Sequence, residues 1–254
     1  MRHVFGMIPR ALWKIFFILN FVVGLVLLYP FFFFLISVRK NYGAAFRLMR
    51  FHARWVLHVP GIFLRVRAEI PLEELPGRCV FVANHSSYLD IVISYCVIPK
   101  FFVYMGKAEI DKAPLLRIFF REEKDGHSGM NIYVDRKTRT GSYAAFQEAG
   151  MKLRQGQSVF LYPEGTIEPR GNLKPFKNGA FRLAIENQVP VVPVTFRNNW
   201  KLLQNGGFLK AYGRPGIAGV IIHKPVPTAG LTEEDLVNLR HSVRDIIARA
   251  LKEK

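Results

Sequence analysis

VFVANHSSYLDIVIS, residues 80 to 94, changes character midway. Val80 to Ala83 is short and wholly apolar, the pattern of a strand buried on both faces. From Leu89 the apolar residues resume, behind Ser86 and Ser87, residue types that cap helices. Between the halves lie Asn84, His85, Ser86, Ser87 and Tyr88, with Asp90 just beyond. An apolar strand that empties into a polar turn and then a helix is the repeating unit of an α/β fold. Such a fold exposes its reactive groups at the turn.

Working outward, β-rich runs recur at 62–70, 79–83, 101–104, 132–134, 158–162, 191–196 and 220–223. Helical patterns fall between them, near 87–97, 113–120, 142–154 and 178–186. The alternation predicts a mixed, largely buried sheet covered by helices. A last helix is expected from Leu236 to Leu251, opened by a capping box of Thr232 and Asp235. Residues 61–254 are therefore expected to form one α/β domain, and residues 1–60 an appendage of different composition.

The chain has 254 residues, 36 Lys or Arg against 19 Asp or Glu, and a net charge of +17, with half its residues hydrophobic. That hydrophobic fraction excludes a disordered chain. A basic, apolar chain suits an anionic phospholipid membrane better than nucleic acid, for which no familiar motif is present. Cys79 and Cys96 make neither a disulfide framework nor a metal-ligand cluster, so reduced thiols, a cytosol-facing location and no metal are expected. The signatures of dinucleotide binding, P-loop phosphoryl transfer, zinc proteolysis and the α/β-hydrolase elbow are all missing.

From Met1 to Ala68 there are ten basic residues and no acidic one. Ile15 to Val38, IFFILNFVVGLVLLYPFFFFLISV, is uncharged and long enough to cross a bilayer core as one straight helix. Asn20, Gly24 and Pro30 argue for a bend instead. Basic residues flank both ends, which places both on the cytoplasmic side. The expectation is an N-terminal hydrophobic membrane anchor, monotopic or re-entrant, on the cytoplasmic face (the inner membrane if the cell is bacterial); a single span is the alternative. Tyr42 to Trp55 follows the helical period with basic residues interleaved and is expected to lie on the lipid surface.

Two strand ends carry the chemistry. On one regular helix His85 and Asp90 would stand about 140° apart. With His85 in the turn and Asp90 in the first helical turn they can meet, giving a general base oriented by a carboxylate. A capping turn with a bystander histidine uses the same residue types. The second end is LYPEGTIEPRGNLKPFKNGAF, residues 161 to 181, where Glu164, Gly165 and Thr166 precede Arg170, Lys174 and Lys177. Gly165 permits close backbone approach, Thr166 offers a hydroxyl, and the cations suit an anionic headgroup; a solvated loop is the plain alternative. Lys107 and Arg136 each follow a further strand.

In order, the blocks N-H-S-S-Y-L-D, G-K-A-E-I, I-Y-V-D-R, Y-P-E-G-T, L-K-P-F-K-N-G-A-F and V-P-V-V-P-V resemble the glycerolipid acyltransferase family of the lysophosphatidic acid acyltransferases, over roughly residues 62 to 200. The resemblance implies attack by an acceptor hydroxyl on an acyl thioester, with acyl-CoA or acyl-acyl carrier protein as co-substrate and no permanently bound cofactor. It implies His85 as base, Asp90 as its partner, Glu164, Gly165 and Thr166 in the acceptor-binding block, and Lys107 and Arg136 on the acceptor phosphate. Val189, Pro190, Val192 and Pro193 match the last block, as structure or acyl-path lining. The implied product is phosphatidic acid, made at the sn-2 hydroxyl of lysophosphatidic acid.

Two departures bear on the acceptor. Ile167 stands where the family usually has arginine, with Glu168 after it and Arg170 the nearest substitute; Met130 stands where a glycine is expected, Gly129 being one residue earlier. Another lysolipid, a lysophospholipid or an aminoacyl lysolipid, is the alternative acceptor, and a membrane lipid-binding protein the non-enzymatic reading.

Overall fold

The computed structural model describes residues 7–107, 113–120, 129–135 and 138–253, with the backbone alone at 7, 107 and 139. Seven strands form one sheet: β1 (Ile62–Ala68), β2 (Val80–Ala83), β3 (Phe102–Lys107), β4 (Ile132–Val134), β5 (Ser158–Leu161), β6 (Val191–Phe196) and β7 (Gly216–Ile222). Their spatial order is β1-β7-β6-β2-β5-β3-β4. Neighbours run parallel except β6 and β7. This is the mixed, helix-covered α/β sheet that the alternation predicts.

The period-two geometry of a strand divides the core. Val80, Val82, Val103 and Val159 face one layer, which contains α5 (Arg139–Arg154), α6 (Gly179–Glu186) and α8 (Leu236–Lys252). Phe81, Ala83, Phe102 and Phe160 face the other, with α3 (Leu89–Val97) and the N-terminal helices α1 (Met7–Phe33) and α2 (Tyr42–His58). Local chemistry starts the helices. Asn41 accepts from the Ala44 amide at 2.9 Å, and Thr138 from that of Gly141 at 3.0 Å. The Thr232–Asp235 capping box is present and opens a short 3₁₀ turn before α8.

Several boundaries differ from expectation. The helix expected from residue 87 starts at Leu89, because the Ser86 and Ser87 amides are turned onto Asp90. The one expected at 113–120 divides into α4 (Pro114–Arg117) and a 3₁₀ turn. β7 begins at Gly216, since pairing to β1 extends it through glycines of weak strand propensity. A short α7, Asn199–Leu202, had no periodic signal.

At the antiparallel β6–β7 pair, Thr195 Oγ1 lies 2.8 Å from His223 Nε2, and His223 Nδ1 lies 2.9 Å from Glu69 Oε1. Burial holds the His223 imidazole below its ordinary range despite the Glu69 carboxylate. The residue types match a hydrolase triad, but Thr195 is fully buried, so this line of bonds stitches strands and reaches no substrate.

The N-terminal apolar helix contains Asn20, Gly24 and Pro30 without ending, and the chain turns back beyond them. Packing explains two of the three breakers. The Asn20 amide reaches the Val56 carbonyl at 3.5 Å, and Gly24 admits the His52 ring, which a Cβ would meet at 3.0 Å. The winding loosens into a π-helix at Phe34–Val38, one turn past Pro30. The chain then reverses, with Lys40 at φ 48°, into α2. Trp13 Nε1 donates to the Pro60 carbonyl at 2.9 Å, so the two helices form a hairpin lying against the domain. Arg50 in α2 faces inward, donating to the Tyr95 carbonyl at 3.1 Å. Leu12, Phe16, Leu19, Val23, Leu27 and Phe31 form an exposed apolar stripe along α1.

Candidate active site

β2 lies between β5 and β6 and is parallel to both, so the C-terminal ends of three strands share one rim. Residues far apart in sequence meet there. Asn84, just past β2, donates to the Phe196 carbonyl at 2.9 Å and accepts from the Phe196 amide at 2.8 Å, locking β2 to the end of β6. The next residue, His85, is thereby held at the mouth of the turn.

His85 Nδ1 lies 2.9 Å from Asp90 Oδ2. Asp90 is fully buried, yet its carboxylate is amply satisfied. Oδ2 also accepts from the amides of Ser86 at 2.6 Å and Ser87 at 2.9 Å, and Oδ1 from Asn199 Nδ2 at 2.6 Å. With three donors besides the histidine the carboxylate serves as acceptor, so the contact to His85 is read as Nδ1–H donating to Oδ2. Nε2 is then the basic nitrogen, and it has no hydrogen-bond partner among the described residues.

The imidazole stacks on Tyr162, with ring centroids 3.9 Å apart and planes 15° from parallel. Behind it the Tyr162 and Tyr104 hydroxyls are 3.2 Å apart, and Ser94 bonds Tyr104 in turn. Desolvation pushes both phenols well above their ordinary range, so they stay neutral. The ring is thus fixed by a hydrogen bond at one edge and a flat aromatic face on one side.

Glu164 is buried directly beneath the turn. Its Oε1 accepts from the His85 amide at 2.8 Å and its Oε2 from the Lys174 amide at 3.0 Å. Burial raises its proton affinity, and the two amide bonds oppose that rise. One carboxylate therefore joins the two motifs through backbone. Gly165 follows at φ 73°, a left-handed conformation that favours glycine, and a Cβ there would stand 3.0 Å from Lys177 Nζ. Lys177, rather than Arg170, is the cation found over this turn. Thr166 and Arg170 are exposed. Glu168, in contrast, is turned inward and accepts from the Arg170 and Asn172 amides at 2.9 and 2.8 Å.

Of the other candidates, Lys107 closes β3 and its side chain is outside the described residues, as is all of Arg136. Met130 is core, as are Val189 and Val192, and the Pro190 carbonyl accepts from the Val80 amide at 3.0 Å. Asn199 and the stacking role of Tyr162 were not anticipated. The signal for Asn199 was its place just beyond a buried strand, the same strand-end position that identified His85.

The acyltransferase family model matches residues 65–197. Human 1-acyl-sn-glycerol-3-phosphate acyltransferase beta is 32% identical over 178 residues, covering 69% of this chain and 60% of that protein. The 1-acyl-sn-glycerol-3-phosphate acyltransferase of Haemophilus influenzae is 27% identical over 205 residues, covering 79% and 80%. The chain spans about three fifths of the length of the first curated relatives it matches. In fold it is similar to the crystal structure of the 1-acyl-sn-glycerophosphate (LPA) acyltransferase PlsC from Thermotoga maritima, at TM-score 0.74 and 22% identity, covering 96% of this chain and 95% of that one.

Proposed function

The chain belongs to the acyltransferase family, and from that premise we propose that it moves a fatty acyl group from an acyl thioester to the sn-2 hydroxyl of lysophosphatidic acid, giving phosphatidic acid. The observation that carries this reading is the His85 imidazole, tied at Nδ1 to a buried carboxylate and unengaged at Nε2 among the described residues. Nε2 takes the proton of the acceptor hydroxyl as its oxygen forms the new C–O bond to the thioester carbonyl. The C–S bond breaks, and the imidazolium returns the proton to the departing thiolate of coenzyme A or acyl carrier protein. No acyl-enzyme is needed. Asp90 fixes the tautomer and stabilises the imidazolium.

Glu164 acts in this scheme by holding the His85 turn and the acceptor loop at one spacing. Gly165, Thr166 and Lys177 then supply close backbone approach, a hydroxyl and a cation to the acceptor, with Arg170, Lys107 and Arg136 as further cations for its phosphate. Ile167 in the place of an arginine favours a second reading, the same chemistry on a lysophospholipid or aminoacyl lysolipid.

The hairpin supports the monotopic reading of the N-terminal segment. Near its start α1 is held at Lys14, which donates to the Phe208 carbonyl at 2.8 Å, and near its end Phe32 packs edge-on to Phe119 at 4.9 Å. A helix of 27 residues, about 40 Å long, that touches the domain at both ends suits a monotopic anchor on the cytoplasmic face of the membrane.

The test is to supply purified protein with mixed long-chain acyl thioesters and an equimolar panel of lysolipids, reading all products by mass spectrometry. Phosphatidic acid is expected to dominate. Another diacyl product would move the assignment to that acceptor, and no product from competent donors would point to lipid binding alone.

Asn199 is a positioning residue, acting only through Asp90. Asn199→Ala is expected to lower turnover about tenfold by loosening the carboxylate. Asn199→Asp sets a second carboxyl against Asp90, and like charges at that separation must share a proton. The acid limb of its rate–pH profile should therefore move to higher pH, and an unmoved limb would rule out coupling between the two side chains.

A further inference from the structure

We propose that a cleft beside the first turns of α1 binds the headgroup phosphate of an anionic phospholipid in the membrane surface. The cleft, about 320 Å³, is lined by Arg10, Trp200, Lys201, Tyr212, Gly213 and Arg214. Three of these six are cations, and no carboxylate lines the cleft among the described residues. None of the three forms an ion pair with a described residue. Instead Arg10 lies 4.9 Å over the Tyr212 ring and Lys201 5.4 Å over that of Trp200, which orients both heads without neutralising them. Arg214 is fixed by its backbone amide and Nε, which donate to the Leu202 and Lys201 carbonyls at 2.9 and 3.2 Å.

The surroundings identify the anion as a lipid's. Phe208, Leu209 and Tyr212 are exposed on the loop that forms one wall, and Ile8 and Leu12 are exposed on the adjoining helix. The two surfaces are clamped together by the buried Lys14, which donates to the Phe208 and Ala211 carbonyls. A cationic cleft opening between two apolar surfaces fits a phosphate with acyl chains beside it, and free phosphate would leave those surfaces in water. The apolar stripe of α1 continues the same surface. The cleft is also carried by α7, whose first residue, Asn199, holds Asp90 on its other side. This inference rests on the membrane-surface reading of the anchor and not on acyl transfer.

The experiment is co-sedimentation of the full chain with phosphatidylcholine vesicles, with and without phosphatidylglycerol. Phosphatidylglycerol is expected to strengthen wild-type partition in a salt-sensitive way. Arg10→Gln/Lys201→Gln/Arg214→Gln should lose about tenfold or more of that gain, and the exposed Lys201→Gln alone about fivefold. A charge-matched control on the opposite layer, Arg154→Gln/Arg249→Gln/Lys252→Gln, should lose less than about twofold. Retained binding to phosphatidylcholine by the triple variant shows that it is folded. Equal losses in the two triple variants would overturn the cleft in favour of diffuse charge while leaving the membrane reading intact. Absence of wild-type binding to either vesicle would overturn both, and His85→Ala should sediment as wild type whatever its turnover.

Discussion

His85→Ala is expected to lower acyl transfer about a thousandfold, with melting temperature and vesicle binding close to wild type. The size follows from the role: a positioned general base contributes about 10²- to 10⁴-fold, and no second imidazole lies at this rim among the described residues to replace it. The stability of the fold depends little on this ring, because the backbone of His85 does the structural work. Its amide donates to Glu164 and its carbonyl accepts from the Glu168 amide at 2.8 Å, bonds that alanine keeps. What alanine loses is the stack on Tyr162 and one bond to Asp90, which retains its other donors. Thioester consumption measured beside thermal unfolding separates the two effects. Turnover within tenfold of wild type would remove His85 as the base.

Asp90 presents the converse case, in which chemistry and stability are coupled, and two substitutions separate them. In Asp90→Asn an oxygen can still face the His85 ring and the Ser86 and Ser87 amides, while the new NH₂ meets Asn199, whose amide can rotate to accept it. The geometry survives and the charge is lost. Turnover is expected to fall about 10²- to 10³-fold as the imidazolium loses its counter-charge, with a stability loss of about 1–2 kcal/mol. Asp90→Ala strips several donors of their acceptor in a site with no solvent access and should cost about 3–5 kcal/mol, visible as a large drop in melting temperature. If Asp90→Asn kept more than a tenth of wild-type turnover, orientation alone would be the role of Asp90.

Much of this was legible in residue order. Short apolar runs between helical patterns predict a buried sheet because a strand covered on both faces has no polar side to display, and β2 and β6 match that pattern within a residue of their bounds. His85 and Asp90 could be paired in advance because the separation of five residues is local: one turn brings them together whatever the remaining chain does. Pro30 was legible only in part: a proline inside an apolar run favours a kink, and α1 contains it, with the chain turning back only beyond the π-helix at Phe34–Val38.

The sequence by itself determined the strand–turn–helix unit, the two polar strand ends, and an apolar, basic N-terminal segment, since each depends on side-chain type and spacing within about twenty residues. Only the tertiary structure decided that β5 and β6 flank β2, and the remaining assignments follow from that order. It turned Glu164 inward onto the His85 amide and set Asn199 against Asp90 across 109 positions. It placed Lys177 over Gly165 and brought Arg10 to Lys201 and Arg214. Strand order reflects the global balance of burial and chain connectivity rather than any local preference, so a contact between residues distant in sequence becomes readable only once the sheet has formed.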